Sequence, residues 1–267
     1  IRWGFIGTGN IARKLASALK CSKDGRLHAV ASRDQQKAGL FKEEFSAENA
    51  YGSHEEILSD PSVDAVYIAT PHPYHARLAI LAAEAGKHIL CEKPAVLNHA
   101  EAMAVLRAVE ANHVFFAEAF MYRFHPQTEM LLKWISEGRV GEIRYISAEF
   151  GFDAGGDTNS RLLANKHGGG AILDVGCYPL SMIRRLAGAA SGQPFVNPAS
   201  LKAQGYLHPK TGVDLWTAAT CEFPGGMVAS IATAVSATMR NQLHITGSEG
   251  TISVDSPWFC NGSIECT

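Results

Sequence analysis

Gly7-Thr8-Gly9-Asn10-Ile11-Ala12 follows the apolar run Trp3-Gly4-Phe5-Ile6 and opens an amphipathic segment over residues 11–19. A strand, a tight glycine turn and a helix in that order are the context in which a Gly-x-Gly-x-x-Gly/Ala turn holds a dinucleotide. Gly7 and Gly9 let backbone N–H groups approach a pyrophosphate, with Thr8, Asn10 and Ile11 completing the candidate cofactor-binding turn. Ala12 stands at the third position, which needs only a small residue for helix–strand packing. Glycine turns between strands and helices are common, so the weight of this one comes from its place after the first strand with a second strand at the right distance.

Outward from that turn, apolar runs at residues 2–6, 27–32, 63–69, 88–91 and 114–117 alternate with helical patterns at 11–19, 35–45, 54–58, 74–85 and 100–111. This rhythm, with right-handed crossovers, predicts a doubly wound parallel sheet, a Rossmann domain over residues 1–119. Beyond Ala119 the rhythm changes. A helix at 126–136, a strand at 142–152, a helix at 173–186 after Gly168-Gly169-Gly170, and strand runs at 201–206, 215–223, 227–234 and 242–246 predict an α+β domain. Its sheet is expected to be open and mainly antiparallel, with Pro224-Gly225-Gly226 as a hairpin turn. The fold class is therefore α/β, and residues 120–267 are expected to bind substrate and to dimerise.

The 267 residues suffice for two cores, and a formal net charge of −2 offers neither a basic stripe nor a strong asymmetry. Nucleic acid and membrane surfaces are not expected partners. The cysteines Cys21, Cys91, Cys177, Cys221, Cys260 and Cys266 are scattered without a C-x-x-C motif, and Cys91 and Cys177 read as buried thiols. No charged-then-apolar leader precedes Ile1 and no apolar run approaches bilayer length, so the expectation is a soluble, cytoplasmic protein. Asn261-Gly262-Ser263 matches a glycosylation acceptor, a triplet frequent by chance.

The residue that reads the adenosine ribose is expected at the end of the second strand, about 20 residues past the turn. Ser32 and Arg33 stand there. A carboxylate would accept from a free 2′-OH and repel a 2′-phosphate, whereas a hydroxyl followed by a guanidinium suits the phosphate, which favours NADP over NAD. Asp34 competes as a ribose acceptor, yet before Gln35-Gln36-Lys37 it fits a helix N-cap, and Lys37 adds positive charge one turn on. The plainer alternative is a polar strand-to-helix corner that holds no ligand.

Ligands of open parallel sheets bind outside the carboxyl ends of the strands. Thr70-Pro71-His72-Pro73-Tyr74-His75 and Glu92-Lys93-Pro94 both fall there. Thr70 and Pro71 suit the nicotinamide ribose; His72 and His75 lack a third metal ligand and read as loop-shaping residues beside the cofactor, so no metal is expected. Lys93, followed by a proline that restricts it, reads equally as an ordinary exposed lysine or as a catalytic cation.

Taken together, Gly-x-Gly-x-x-Ala, Ala69-Thr70-Pro71, Glu92-Lys93-Pro94, Glu118-Ala119 with Arg123, and the run from Gly168 to Tyr178 resemble the glucose-fructose oxidoreductase / inositol dehydrogenase / MocA family over nearly the whole chain. Ala31-Ser32-Arg33-Asp34, Cys91-Glu92-Lys93-Pro94, the Arg123-Phe124-His125-Pro126 segment and Tyr178 are similar to its dimeric dihydrodiol dehydrogenases and NADP-dependent D-xylose dehydrogenases. The resemblance implies an NADP-dependent oxidoreductase acting on a sugar or cyclic trans-diol. An NADP-sensing protein without chemistry and a keto-sugar reductase are the alternatives. It further implies that Lys93 and Tyr178 share proton transfer, with Asp174 one turn from Tyr178, and that the peptide before Pro94 is cis. A nearby ammonium favours the phenolate of a group whose ordinary pKa is about 10. Phe150 and Trp258 are implied pocket residues, Met121 stands where dihydrodiol dehydrogenases carry tryptophan, and Arg123 belongs to the hinge or the substrate side. Family chains continue for several dozen residues past the equivalent of Thr267, so the second domain is expected to be truncated here. A homodimer is the implied assembly.

Overall fold

The computed structural model describes residues 1–267, which divide into two compact units, Ile1–Ala119 and Phe120–Thr267.

In the first unit, strands β1 (Arg2–Ile6), β2 (Arg26–Ala31), β3 (Asn49–Tyr51), β4 (Ala65–Ile68), β5 (His88–Cys91) and β6 (Phe116–Glu118) form one sheet in the order β3-β2-β1-β4-β5-β6. Every neighbouring pair is parallel. Helices α1 (Asn10–Leu19), α2 (Gln35–Phe45), α3 (His54–Ser59), α4 (His75–Glu84) and α5 (His99–Ala111) supply the crossovers. Alternation along the strands feeds two separate cores. Phe5 and Tyr67 pack with Phe41 and Phe45, whereas Ile6, Val66 and Ile68 pack with Leu78, Ala79 and Ala82. A sheet covered on both faces explains why its strands read as near-continuous apolar runs. The three-residue β3 was not among the predicted strands.

Helix starts follow local chemistry. Asp34 Oδ1 accepts from the amides of Gln36 at 3.0 Å and Lys37 at 3.2 Å, which is the N-cap role rather than a ribose contact. Ser53 and Glu56 close a capping box on α3, with Ser53 Oγ accepting from Glu56 N at 3.2 Å and Glu56 accepting from Ser53 N at 3.2 Å.

The second unit carries β7 (Ile143–Gly151), β8 (Ser200–Leu207), β9 (Asp214–Glu222), β10 (Val228–Ala234), β11 (Gln242–Gly247), β12 (Thr251–Asp255) and β13 (Ile264–Cys266), in the order β13-β12-β11-β7-β10-β9-β8. All pairs are antiparallel except β7 with β10. Gly225 and Gly226, at φ +88° and +89°, turn β9 into β10 as the hairpin reading expects. Helices α6 (Pro126–Ser136) and α7 (Cys177–Ala190) complete the unit. Tyr178, Met182 and Leu186 recur at helical spacing and join Ile146, Ala148 and Phe150 of β7 in one core. The sheet leaves Tyr145, Tyr206 and Trp216 exposed, the last two stacked at 4.6 Å.

Three readings change. The predicted helix over 173–186 begins instead as a π-helical turn, Ile172–Gly176, before α7. Cys177 is half-buried rather than enclosed, while Cys91 is fully buried. Strands β12 and β13 extend the sheet beyond the predicted run at 242–246.

Candidate active site

The glycine turn leaves β1 and enters α1. Gly7 adopts φ +115°, and a Cβ there would lie 2.5 Å from the Ala69 carbonyl oxygen, so a side chain is excluded by both conformation and space. Gly9 faces open space and caps α1 without a side-chain acceptor, leaving the first helical N–H groups available to an anion.

A cleft of about 320 Å³ opens from this turn, lined among others by Gly7, Thr8, Gly9, Ser32, Arg33, Lys37, Thr70 and Pro71. That volume falls at the lower end of small-molecule sites, roughly 300–1,000 Å³. Arg33 lies 5.5 Å over the ring of Tyr74. The lining holds three cationic side chains, Arg33, Lys37 and Arg77, and no carboxylate. Lys37 leans on Asp34 at 3.7 Å, at the surface. Thr70 Oγ1 lies in the same lining, buried without a hydrogen-bond partner. A ligand hydroxyl would satisfy it, as buried polar groups require. An open helix start, an orphaned hydroxyl and a carboxylate-free cationic lining together fit a nicotinamide dinucleotide. His54 and Arg77 are members of this lining that sequence spacing does not reveal, brought in by α3 and α4, while Tyr74 enters from the turn before α4.

Asn10, Ile11, His72, His75, Glu92 and Lys93 stand outside that lining. Glu92 accepts from the Tyr67 hydroxyl and from the Lys93 amide, the latter at 3.2 Å, which braces the end of β5. The Lys93–Pro94 peptide is cis. His75 is fully enclosed, and its ring nitrogens face two carbonyl oxygens, Nδ1 toward Pro94 and Nε2 toward Thr70, each at 2.8 Å. It thereby ties the two loops at the carboxyl ends of β4 and β5 together. Enclosure pushes its pKa below the ordinary imidazole value and outweighs the two carbonyls, which favour the charged ring.

In the second unit, Asp174 sits in the π-turn, 3 % exposed, with Arg161 Nη1 donating to its Oδ1 at 3.0 Å. Arg161 comes from an irregular loop and carries no sequence signal. The turn is held at its start: Asp214 Oδ2 accepts from Ile172 N at 2.9 Å, and the Thr233 hydroxyl donates to the Ala171 carbonyl at 3.3 Å. π-turns of this kind recur at functional sites. Tyr178, at the start of α7, stands among Phe120, Phe150, Tyr122 and Trp258, with ring centroids between 5.1 and 6.1 Å away. Trp258 is fully buried, stacks on Phe150 at 5.7 Å and 18°, and donates from Nε1 to the Glu149 carbonyl at 2.8 Å. Its observed contacts are those of an anchor for the aromatic cluster. Tyr122, also unforeseen, donates to Ser181 Oγ at 2.8 Å, and burial pushes its phenol up. Arg123 donates to the same hydroxyl and lies 4.5 Å over Phe120, while Met121 is exposed.

The oxidoreductase family with an NAD-binding Rossmann fold matches residues 1–120, and the GFO/IDH/MocA C-terminal domain matches residues 128–253. The chain belongs to the GFO/IDH/MocA family. It is an NAD(P)-binding oxidoreductase of that family. It is similar to trans-1,2-dihydrobenzene-1,2-diol dehydrogenase of Mus musculus, 34% identical over 260 residues that span 97% of this chain and 75% of the relative. The Homo sapiens protein of the same name is 31% identical over 97% of this chain and 76% of its own length. Among solved structures, a 3-ketoreductase from Actinomadura kijaniata in complex with NADP and TDP-benzene is 28% identical, with a TM-score of 0.86 over all of this chain and 81% of that one. An aldose-aldose oxidoreductase from Caulobacter crescentus, at 23% identity, shares the fold with a TM-score of 0.90, over all of this chain and 80% of its own. No helix is long and apolar enough to cross a membrane.

Proposed function

We propose that this GFO/IDH/MocA oxidoreductase uses NADP and moves a hydride between the nicotinamide and a hydroxyl-bearing carbon of a sugar or cyclic trans-diol. The observation that carries the NADP preference is the cleft end made by Ser32, Arg33 and Lys37 without a lining carboxylate. Cationic donors in a lining without a carboxylate suit a 2′-phosphate, whereas an acid that would read a free 2′-OH is missing from that lining. Asp34, the one nearby candidate, is engaged by the amides at the start of α2. The substrate class is supported by the diol named in the similar dihydrodiol dehydrogenases and by the 3-ketoreductase whose structure holds NADP.

When bound, the cofactor supplies the hydride-accepting or hydride-donating ring. Thr8 and the uncapped start of α1 hold its pyrophosphate, Thr70 a ribose hydroxyl, and Ser32, Arg33 and Lys37 its 2′-phosphate. Tyr178 exchanges the substrate's hydroxyl proton, accepting it in oxidation and returning it in reduction, and the Lys93 ammonium supplies the field that favours the phenolate. Asp174 orients Lys93 or receives a substrate hydroxyl, with Arg161 fixing its carboxylate. Phe150 and Trp258, both buried, back the Tyr178 ring rather than offering the substrate a surface. The second unit's exposed sheet, with Tyr206 and Trp216, is the proposed face for a homodimer.

The test is the growth of NADPH absorbance with a panel of aldoses and cyclic diols, run in parallel with NAD, and the reverse reaction with keto-sugars. Turnover that prefers NADP and a member of the panel is expected. Tighter binding of NAD than of NADP overturns the cofactor assignment, and inertness toward every sugar and diol overturns the substrate class.

A further inference from the structure

The cleft beside the glycine turn carries three polar side chains that the NADP assignment does not use, His54, Tyr74 and Arg77. His54 is the first residue of α3, held there by the Ser53 capping box, and its ring is half-buried in the same lining as Ser32, Arg33 and Lys37. We infer that His54 is a further, proton-dependent ligand of the cofactor's 2′-phosphate, so that binding NADP draws a proton onto the protein and binding NAD does not. The inference rests on the NADP assignment of the same cleft.

Charged side chains from three neighbouring elements share this lining with His54. Arg33 comes from the corner after β2, Lys37 from α2 and Arg77 from α4. Glu55 follows it on α3 and lies 3.6 Å from Arg77, while Glu56 is occupied by the amides of Gly52 and Ser53. Asp34 sits against Lys37. Burial, with Arg33 and Arg77 behind it, pushes the His54 pKa below the ordinary imidazole value against the pull of Glu55. The cleft without ligand therefore disfavours the charged ring. A phosphate monoester brings about −1.5 to −2 charges at pH 7 and several strong acceptor oxygens. Placed at this end of the cleft it reverses the local field, favours imidazolium, and gains a charged donor. Imidazole is the only side-chain type in the lining that ordinarily changes charge across this range, and a phosphate drawn toward its dianion beside Arg33 and Lys37 can only release a proton, so net uptake reports on His54. NAD has the same adenosine without the phosphate and leaves the ring neutral.

Calorimetric titration of the whole chain with NADP and with NAD, near neutral pH in two buffers of different ionisation enthalpy, reads the protons taken up. The wild type is expected to take up a substantial fraction of one proton with NADP and none with NAD. His54→Gln is expected to lose that uptake, to bind NADP about tenfold more weakly, the worth of a charged hydrogen bond, and to keep its NAD affinity, which also certifies its fold. His54→Lys is expected to retain NADP affinity with no uptake. If NADP binds more tightly than NAD but without proton uptake, or if His54→Gln takes up the same number of protons, the His54 role is overturned and the NADP assignment stands. If NAD binds as tightly as NADP in the wild type, the NADP assignment itself fails and the inference with it.

Discussion

Replacing Tyr178 by Phe separates proton transfer from packing, because the ring is held by its neighbours on every side. Phe120 and Phe150 meet it edge-on at 5.1 and 5.2 Å, and Tyr122 and Trp258 lie at 5.8 and 6.1 Å. Phenylalanine keeps all of these contacts. The structural cost is then that of the hydroxyl's hydrogen bonding, about 1 kcal/mol, whereas Tyr178→Ala would remove the ring and cost about 3–5 kcal/mol. Loss of a positioned acid–base group lowers turnover by about 10²–10⁴, or roughly 2.7–5.4 kcal/mol of barrier. The chemical effect thus exceeds the packing effect. Steady-state turnover with the substrate found in the panel, NADP affinity by fluorescence titration, and a thermal melt give the three readouts. The expected pattern is a steep fall in kcat, unchanged NADP affinity and a melting point lowered by a few degrees at most. A fall in kcat below tenfold, or equal losses in turnover and cofactor affinity, would refute the proton-transfer role of Tyr178.

Further outcomes follow from other sites. Gly7→Ala places a Cβ 2.5 Å from the Ala69 carbonyl oxygen at φ +115°, so NADP binding should fall more than tenfold and stability by roughly 2 kcal/mol; wild-type affinity by titration would contradict the turn's role. His75 has its folded pKa held below the unfolded value of about 6.5, so the folded state binds fewer protons. Stability should be full above that pH and decline as pH drops toward the lower folded value, and His75→Gln should be less stable at pH 7 but flatter with pH in thermal melts. An equally steep decline in the variant would show that another group is responsible. Cys91 is enclosed and its thiol pushed well up by burial, with Glu118 and Glu92 adding to the shift, whereas Cys21 and Cys266 are exposed. Iodoacetamide followed by peptide mass spectrometry should mark Cys21 and Cys266 long before Cys91 in the folded protein.

The first unit is legible because its buried parallel strands announce themselves as short apolar runs and its turns carry glycine and aspartate where local geometry needs them. Asp34 is the example, a side chain that acts within three residues. What was not legible depends on partners distant in the chain. Asn49–Tyr51 is a strand only because it pairs with β2, and Ile264–Cys266 only because it pairs with β12. Lys93 stands out by its place at a strand end before a proline, whereas its catalytic role and that of Tyr178 come only from the motif resemblance. His54 and Arg77 enter the cofactor cleft through the placement of α3 and α4, and Arg161 reaches Asp174 from a loop with no periodic pattern. Residues 172–176 carry an ordinary helical pattern; the wider turn they adopt is fixed by Asp214 and Thr233 from the sheet.

That wider turn sets the angular phase of everything after it. Each residue of an α-helix advances the chain by about 100°, so excising one residue between 172 and 176 would rotate the rest of the helix by that amount unless the turn tightened to absorb it. Tyr178, Met182 and Leu186 would swing off the sheet together, and their apolar stripe would be presented to a different quadrant. The number of residues in this one turn is therefore as constrained as their identity. Length variation among related chains should concentrate elsewhere, in the loop from Asp153 to His167 or in the β8–β9 connection.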